Sequence, residues 1–95
     1  MGDFAAGQRI IEIKQTGTTR EYADEFRKLA SSSGWKDTAL KSYFYKGLSD
    51  EVKDIICMEA RPDNLEDYIQ RAQNIDENIS ARKEEKRKAY EQGAS

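Results

Sequence analysis

At 95 residues and a formal charge of −2, the chain makes one small domain with no net charge that calls for a polyanionic partner. Apolar residues are 37% of the total and charged residues 36%; that balance alone suits disorder, but the helical spacing of the apolar positions argues for a modest packed core. One cysteine and no histidine exclude a disulfide framework within the chain and a Cys/His zinc site.

No apolar run approaches the ~18 residues needed to cross a bilayer. The N-terminus lacks the basic and apolar regions of a secretory signal, so the expectation is a reduced, cytoplasmic setting without membrane contact.

The first predicted helix covers residues 3–15, with Asp3 as its cap and Phe4, Ile10, Ile11 and Ile13 as its apolar content. Gly7 weakens its first turn by about 1 kcal/mol relative to alanine. Gly17 is expected to close it in a left-handed conformation. The second helix, residues 19–31, is the stretch around which the rest is organised. Thr18 and Glu21 form a T-x-x-E capping box: the threonine hydroxyl accepts from the Glu21 amide, and the glutamate reaches back to the Thr18 amide. Behind the cap, Tyr22, Phe26, Leu29 and Ala30 fall at i, i+4, i+7 and i+8 on one face, leaving Arg20, Asp24, Glu25 and Lys28 to water. Gly34 is a left-handed stop, and Trp35 folds back over the core as a lid.

The third helix, residues 37–46, turns Leu40, Tyr43, Phe44 and Gly47 to one side and Thr38, Lys41, Ser42 and Tyr45 to the other. Tyr45 is therefore an aromatic residue on a polar face. Ser49 caps a fourth helix whose inner face is Val52, Ile55 and Ile56, and Pro62 stops it. Asn64 caps the fifth. Leu65, Ile69, Ala72, Ile75 and Ile79 then form a sustained stripe with Tyr68 beside it. Beyond Ile79 the period fails. Residues 1–80 are expected to be the domain proper and residues 81–95 a charged, partly frayed helical tail. With no strand-like alternation anywhere, the prediction is an all-α protein, a compact bundle of five short helices.

Reactive constellations are missing from this pattern. None of the 18 carboxylates lies in an apolar window that would raise its pKa for acid–base work. Cys57 reads as a small hydrophobe on an amphipathic helix, and no glycine-rich phosphate loop exists. The expectation is a protein that is not an enzyme and has no cofactor, metal or small-molecule substrate. Residues 82–88, RKEEKRK, hold five bases and two acids, a local +3 that leaves −5 elsewhere. Arg82, Lys83, Lys86, Arg87 and Lys88 are candidate phosphate contacts. The interleaved Glu84 and Glu85, and the lack of interleaved aromatics, favour a solvated helix extension with weak RNA contact at most.

One ordered set of residues resembles the Gag protein of gypsy-type long-terminal-repeat retrotransposons. It runs Gln15, Gly17, Tyr22, Phe26 and Leu29; then Gly34, Trp35, Ala39, Leu40, Phe44, Gly47 and Leu48; then Val52 and Lys53; then Pro62, Leu65, Tyr68, Ile69, Gln73, Ile75 and Asp76. The resemblance covers residues 8–82. It implies the C-terminal domain of a capsid, similar to that of retroviruses and to the lobe used by the domesticated neuronal Arc protein. Gln15 to Leu29 is similar to the major homology region, for which a structural role is implied for Gln15, Gly17, Arg20, Glu21, Tyr22, Phe26 and Leu29. The N-terminal lobe and the zinc knuckle of Gag have no counterpart here, so a piece of a longer protein is expected.

The resemblance also implies self-assembly into capsid-like shells around RNA, with a two-fold contact through the third helix. The outward candidates for that homodimer interface are Trp35, Thr38, Lys41, Ser42 and Tyr45. The alternative is a domesticated adaptor or dimerisation module that binds a host protein.

Overall fold

A computed structural model describes residues 2–93, with side chains from residue 5 onward. The expected cap at Asp3, the apolar role of Phe4 and the last two residues of the tail lie outside the described parts. In chain order the helices are α1 (Gly2–Glu12), α2 (Thr19–Ser33), α3 (Asp37–Gly47), α4 (Asp50–Ile56) and α5 (Leu65–Gly93), with no strand among the described residues. The all-α, five-helix architecture is as the periodicity dictates.

The core is aromatic at its centre. Phe26 of α2 and Phe44 of α3 are fully buried and meet edge to face at 5.2 Å. Tyr22 stacks on Phe44 at 5.2 Å, and Tyr68 of α5 closes on the same ring at 5.9 Å. Offset and edge-on pairs of this kind add to the burial of their area. Around them pack Ile10 of α1, Val52 and Ile56 of α4, and the α5 stripe of Leu65, Ile69, Ala72 and Ile75. Helix α1 lies mainly against α2, while α5 touches α2, α3 and α4.

Four local expectations need correction. Helix α1 ends at Glu12, and Gly17 does not take a positive φ; Gly34, at φ 73°, is the glycine that does. Gly17 instead permits close approach, because a Cβ there would stand 2.7 Å from Glu21 Oε1 of the capping box. Helix α4 ends at Ile56, well before Pro62, through a hydrogen-bonded turn at Cys57–Glu59. Its Ile55 is not an inner residue but 36% exposed, because a helix of seven residues offers the core only the Val52–Ile56 edge. Tyr45 is half-buried against the core rather than standing on a polar face.

Beyond Ile79 helix α5 continues unbroken to Gly93, with every side chain from Ser80 to Gly93 exposed. Arg82–Glu85, Arg87–Glu84 and Arg87–Glu91 pairs span successive turns of it, and Lys83 reaches Glu51 of α4 at 2.9 Å. Pairs at i,i+3 and i,i+4 supply local helix stability where no apolar stripe remains. A helix of 29 residues is about 44 Å long, which accounts for the 60 Å long axis of a molecule only 25 Å and 16 Å in its other dimensions.

Candidate interaction surface

A polar frame holds the helices in register beneath the surface. The Thr18 hydroxyl accepts from the Glu21 amide at 3.1 Å, and Glu21 Oε1 accepts from the Thr18 amide at 3.0 Å. Those bonds hold the Glu21 carboxyl below the usual carboxylate range, the backbone amide contributing most. The next free amide of α2, Thr19 N–H, donates to Asp76 Oδ2 of α5 at 2.9 Å. One helix thus caps another across 57 positions of sequence. Asp37 at the start of α3 does the same for α5, accepting from the Leu65 amide at 3.1 Å.

Gln15 is the clamp between α1 and the α3–α4 corner. Its backbone amide donates to the Gly47 carbonyl at 2.7 Å, its side-chain nitrogen to the Gly17 carbonyl at 3.0 Å, and its Oε1 accepts from the Ser49 amide at 3.0 Å. Tyr22 Oη donates to the Phe44 carbonyl at 2.9 Å, and burial pushes its phenol well above the ordinary tyrosine value. Of the major-homology-like set, Tyr22 and Phe26 are buried and Leu29 half-buried. Arg20 is exposed and pairs with Glu77 of α5 at 3.1 Å.

The outward residues of α3 divide between two flanks. Trp35, Thr38 and Ser42 line one shallow concavity of about 580 Å³ together with Lys36, Ala39 and Tyr43. Trp35 and Tyr43 meet there at 5.4 Å, and Lys46 lies over the Tyr43 ring at 4.8 Å. Trp35 is half-buried: its ring covers Gly7 of α1, where a Cβ would stand 3.1 Å from Trp35 Cζ2. Ile11, 52% exposed, lines a smaller recess with Gly7, Gln8 and Trp35. Lys41 and Tyr45 belong elsewhere. Lys41 Nζ donates to the carbonyls of Pro62 and Asp63 at 3.0 and 2.9 Å, and Tyr45 packs beside Ile56 and Tyr68. The concavity contains hydroxyls, an indole and alkyl surface but no carboxylate, so it is equipped to bind another surface and not for proton transfer.

A family model for the PEG10/RTL1 C-terminal capsid-like domain matches residues 6–79. The chain belongs to that family. It is a Gag-derived, capsid-like structural domain, and the family is not one of enzymes. The matched range runs from within α1 to Ile79, the end of the apolar stripe, and stops before the charged extension of α5. The capping box, the Gln15 clamp, Asp76 and the α3 concavity all lie within it. No described helix is long and apolar enough to cross a membrane.

Four features of this capsid-like domain were missed from sequence. Asp76 and Asp37 look like ordinary surface acids until the fold sets a foreign helix end beside them. Thr19 is fully buried although it sits in a polar stretch, and its hydroxyl has no hydrogen-bond partner. Ala39 and Tyr43 carried a helical-face signal, but only the position of Trp35 turns their flank into a concavity. Ile55, expected on the inner face of α4, and Met58, just beyond the end of that helix, are exposed apolar residues.

Proposed function

We propose that the domain is the capsid C-terminal lobe of a gypsy-type Gag, or of a gene domesticated from one, and that it works in the cytoplasm by associating with copies of itself. The observation that carries this reading is the apolar concavity on α3, open to solvent and lined by Trp35, Ala39 and Tyr43. Aromatic side chains in a partly formed pocket are the usual anchors of an interface. Trp35, Thr38 and Ser42 are the contact residues proposed; Lys41 and Tyr45, on the opposite flank of α3, hold that helix to the core. RNA packaging is proposed as the role of the assembled particle. From this chain it draws only on the tail, where Lys86 and Lys88 have no carboxylate partner among the described residues.

The test is sedimentation velocity of the full chain over a range of concentrations. Ser42 is exposed and lines the concavity, so Ser42→Arg is expected to abolish association and leave the melting temperature near that of the parent. Association that survives Ser42→Arg would remove α3 as the contact. A second reading, a domesticated adaptor that binds a host protein, would use the same open concavity. It predicts a monomeric chain in solution at every concentration.

A further inference from the structure

The last turn of α3, the chain just after α4 and the first turn of α5 enclose a recess of about 200 Å³. Tyr45, Ile56, Cys57, Glu59, Arg61 and Tyr68 line it. Its floor is fixed, because Ile56 and Tyr68 are buried and Tyr68 packs edge-on against Phe44 at 5.9 Å. The hydroxyl end of Tyr68 faces the Arg61 guanidinium. Burial holds that phenol above the ordinary tyrosine value, so it keeps its proton and can donate. The rim is pinned as well. Lys41 Nζ donates to the Pro62 and Asp63 carbonyls at 3.0 and 2.9 Å, just past Arg61, and the Glu59 amide donates to the Ile56 carbonyl at 3.2 Å.

The charges of the recess do not cancel. Both Glu59 oxygens accept from Arg71, which holds that carboxyl below the usual carboxylate range. Arg61 is exposed and has no carboxylate partner among the described residues. Lys53 adds a second cation, 5.8 Å from the centre of the Tyr45 ring. The Tyr45 hydroxyl has no hydrogen-bond partner among the described residues. A guanidinium fork and two phenols thus surround a space the size of one small group, and all of them can donate. A planar carboxylate accepts in the geometry that such a fork presents. An extended polyanion such as RNA fits poorly, because the adjoining α4 carries Asp50, Glu51 and Asp54. We propose that the recess is a binding site for a single carboxylate of a partner peptide, either its C-terminus or an acidic side chain. Arg61 is the ion-pair partner, and Tyr45 and Tyr68 are the hydroxyl donors. The site is separate from the α3 concavity and does not depend on self-association.

The test is titration of the isotope-labelled full chain, followed by two-dimensional NMR. N-acetylglycine offers a terminal carboxylate, N-acetylglutamic acid α-amide only a side-chain one, and N-acetylglycinamide none. One or both of the carboxylates are expected to saturate in the millimolar range, with shifts concentrated at Tyr45, Cys57, Arg61 and Tyr68. The tighter of the two identifies the source of the group. The uncharged amide is expected to give no saturable shift. Arg61→Gln, at an exposed position, is expected to weaken binding about tenfold. Arg61→Lys keeps the charge without the fork and should recover only part of that loss. Tyr68→Phe keeps the ring against Phe44 and should weaken binding about threefold. Circular dichroism establishes that each variant folds. Binding of the amide as tight as that of the carboxylates, undiminished binding by Arg61→Gln, or shifts confined to another face would overturn the site. Inorganic phosphate that binds more tightly than either carboxylate would overturn the assignment of the ligand.

Discussion

Replacing Gly47 with alanine tests the packing at the corner where α1, α2 and α3 meet. A Cβ at this position would stand 2.2 Å from Tyr22 Oη and 2.6 Å from the Ile13 carbonyl oxygen. Neither atom is free to retreat. The Tyr22 hydroxyl donates to the Phe44 carbonyl at 2.9 Å with its ring stacked on Phe44, and Ile13 belongs to a loop tied to Gly47 itself through the Gln15 amide at 2.7 Å. Overpacking costs about 1–3 kcal/mol. Displacing the tyrosine strands a buried hydroxyl and adds about 1–3 kcal/mol. Alanine returns up to about 1 kcal/mol through helix propensity and a less flexible unfolded chain. The net expectation is a loss of about 1–6 kcal/mol, or at least about 4 °C in melting temperature for a domain of this size. Thermal and urea unfolding measure it. Adding Tyr22→Phe should cost less in the Gly47→Ala background than alone, since the clash with Oη and the hydrogen bond are then already lost. Gly93→Ala, with no atom within 4 Å of its Cβ, is the neutral control. A Gly47→Ala protein as stable as the parent would refute the close-packed corner.

Gln15→Ala should cost about 1–3 kcal/mol, because it strands the part-buried Ser49 amide that Oε1 accepts from; urea unfolding reads the loss, and an unchanged midpoint counts against the clamp. Phe26→Ala should cost about 3–5 kcal/mol by opening a cavity at a fully buried position, enough to unfold most of a small domain. Circular dichroism with a near-parental melting curve would contradict it. Stability should also fall at both ends of the pH range. Glu21 has a lowered folded pKa, so its contribution is present above the ordinary value of 4.5 and lost as pH falls through the folded value. Tyr22 has a raised one, so its contribution is complete below pH 10.0 and lost as pH rises beyond it. In urea midpoints against pH, Thr18→Ala should shrink the acid limb, to which Glu59, Glu66 and Glu84 also contribute through Arg71, Arg27 and Arg87, and Tyr22→Phe should shrink the alkaline limb, to which buried Tyr68 also contributes. An alkaline limb that Tyr22→Phe leaves unchanged would show that another group drives it.

The residue pattern was enough to set the number and order of the helices, because an apolar residue every three or four positions has only one regular way to reach a common interior. It also determined the Thr18–Glu21 cap, the Gly34 stop and the burial of Phe26 and Phe44, each written in residues a few positions apart. The bonds that join Thr19 to Asp76 and Leu65 to Asp37 were decided by tertiary structure alone, since nothing local tells an acid which distant helix end it will meet. The same holds for the interaction surface. Periodicity sorted α3 into an inner and an outer half, but the neighbours of α3 are unequal: Trp35 lies over α1 on one flank, and Ile56, Tyr68 and the Pro62 turn press on the other. That asymmetry withdrew Lys41 and Tyr45 from the outer face and left Trp35, Ala39 and Tyr43 as an open concavity. A short α4 likewise left Ile55 and Met58 in water, because whether an apolar side chain is covered depends on how much of the next helix reaches it.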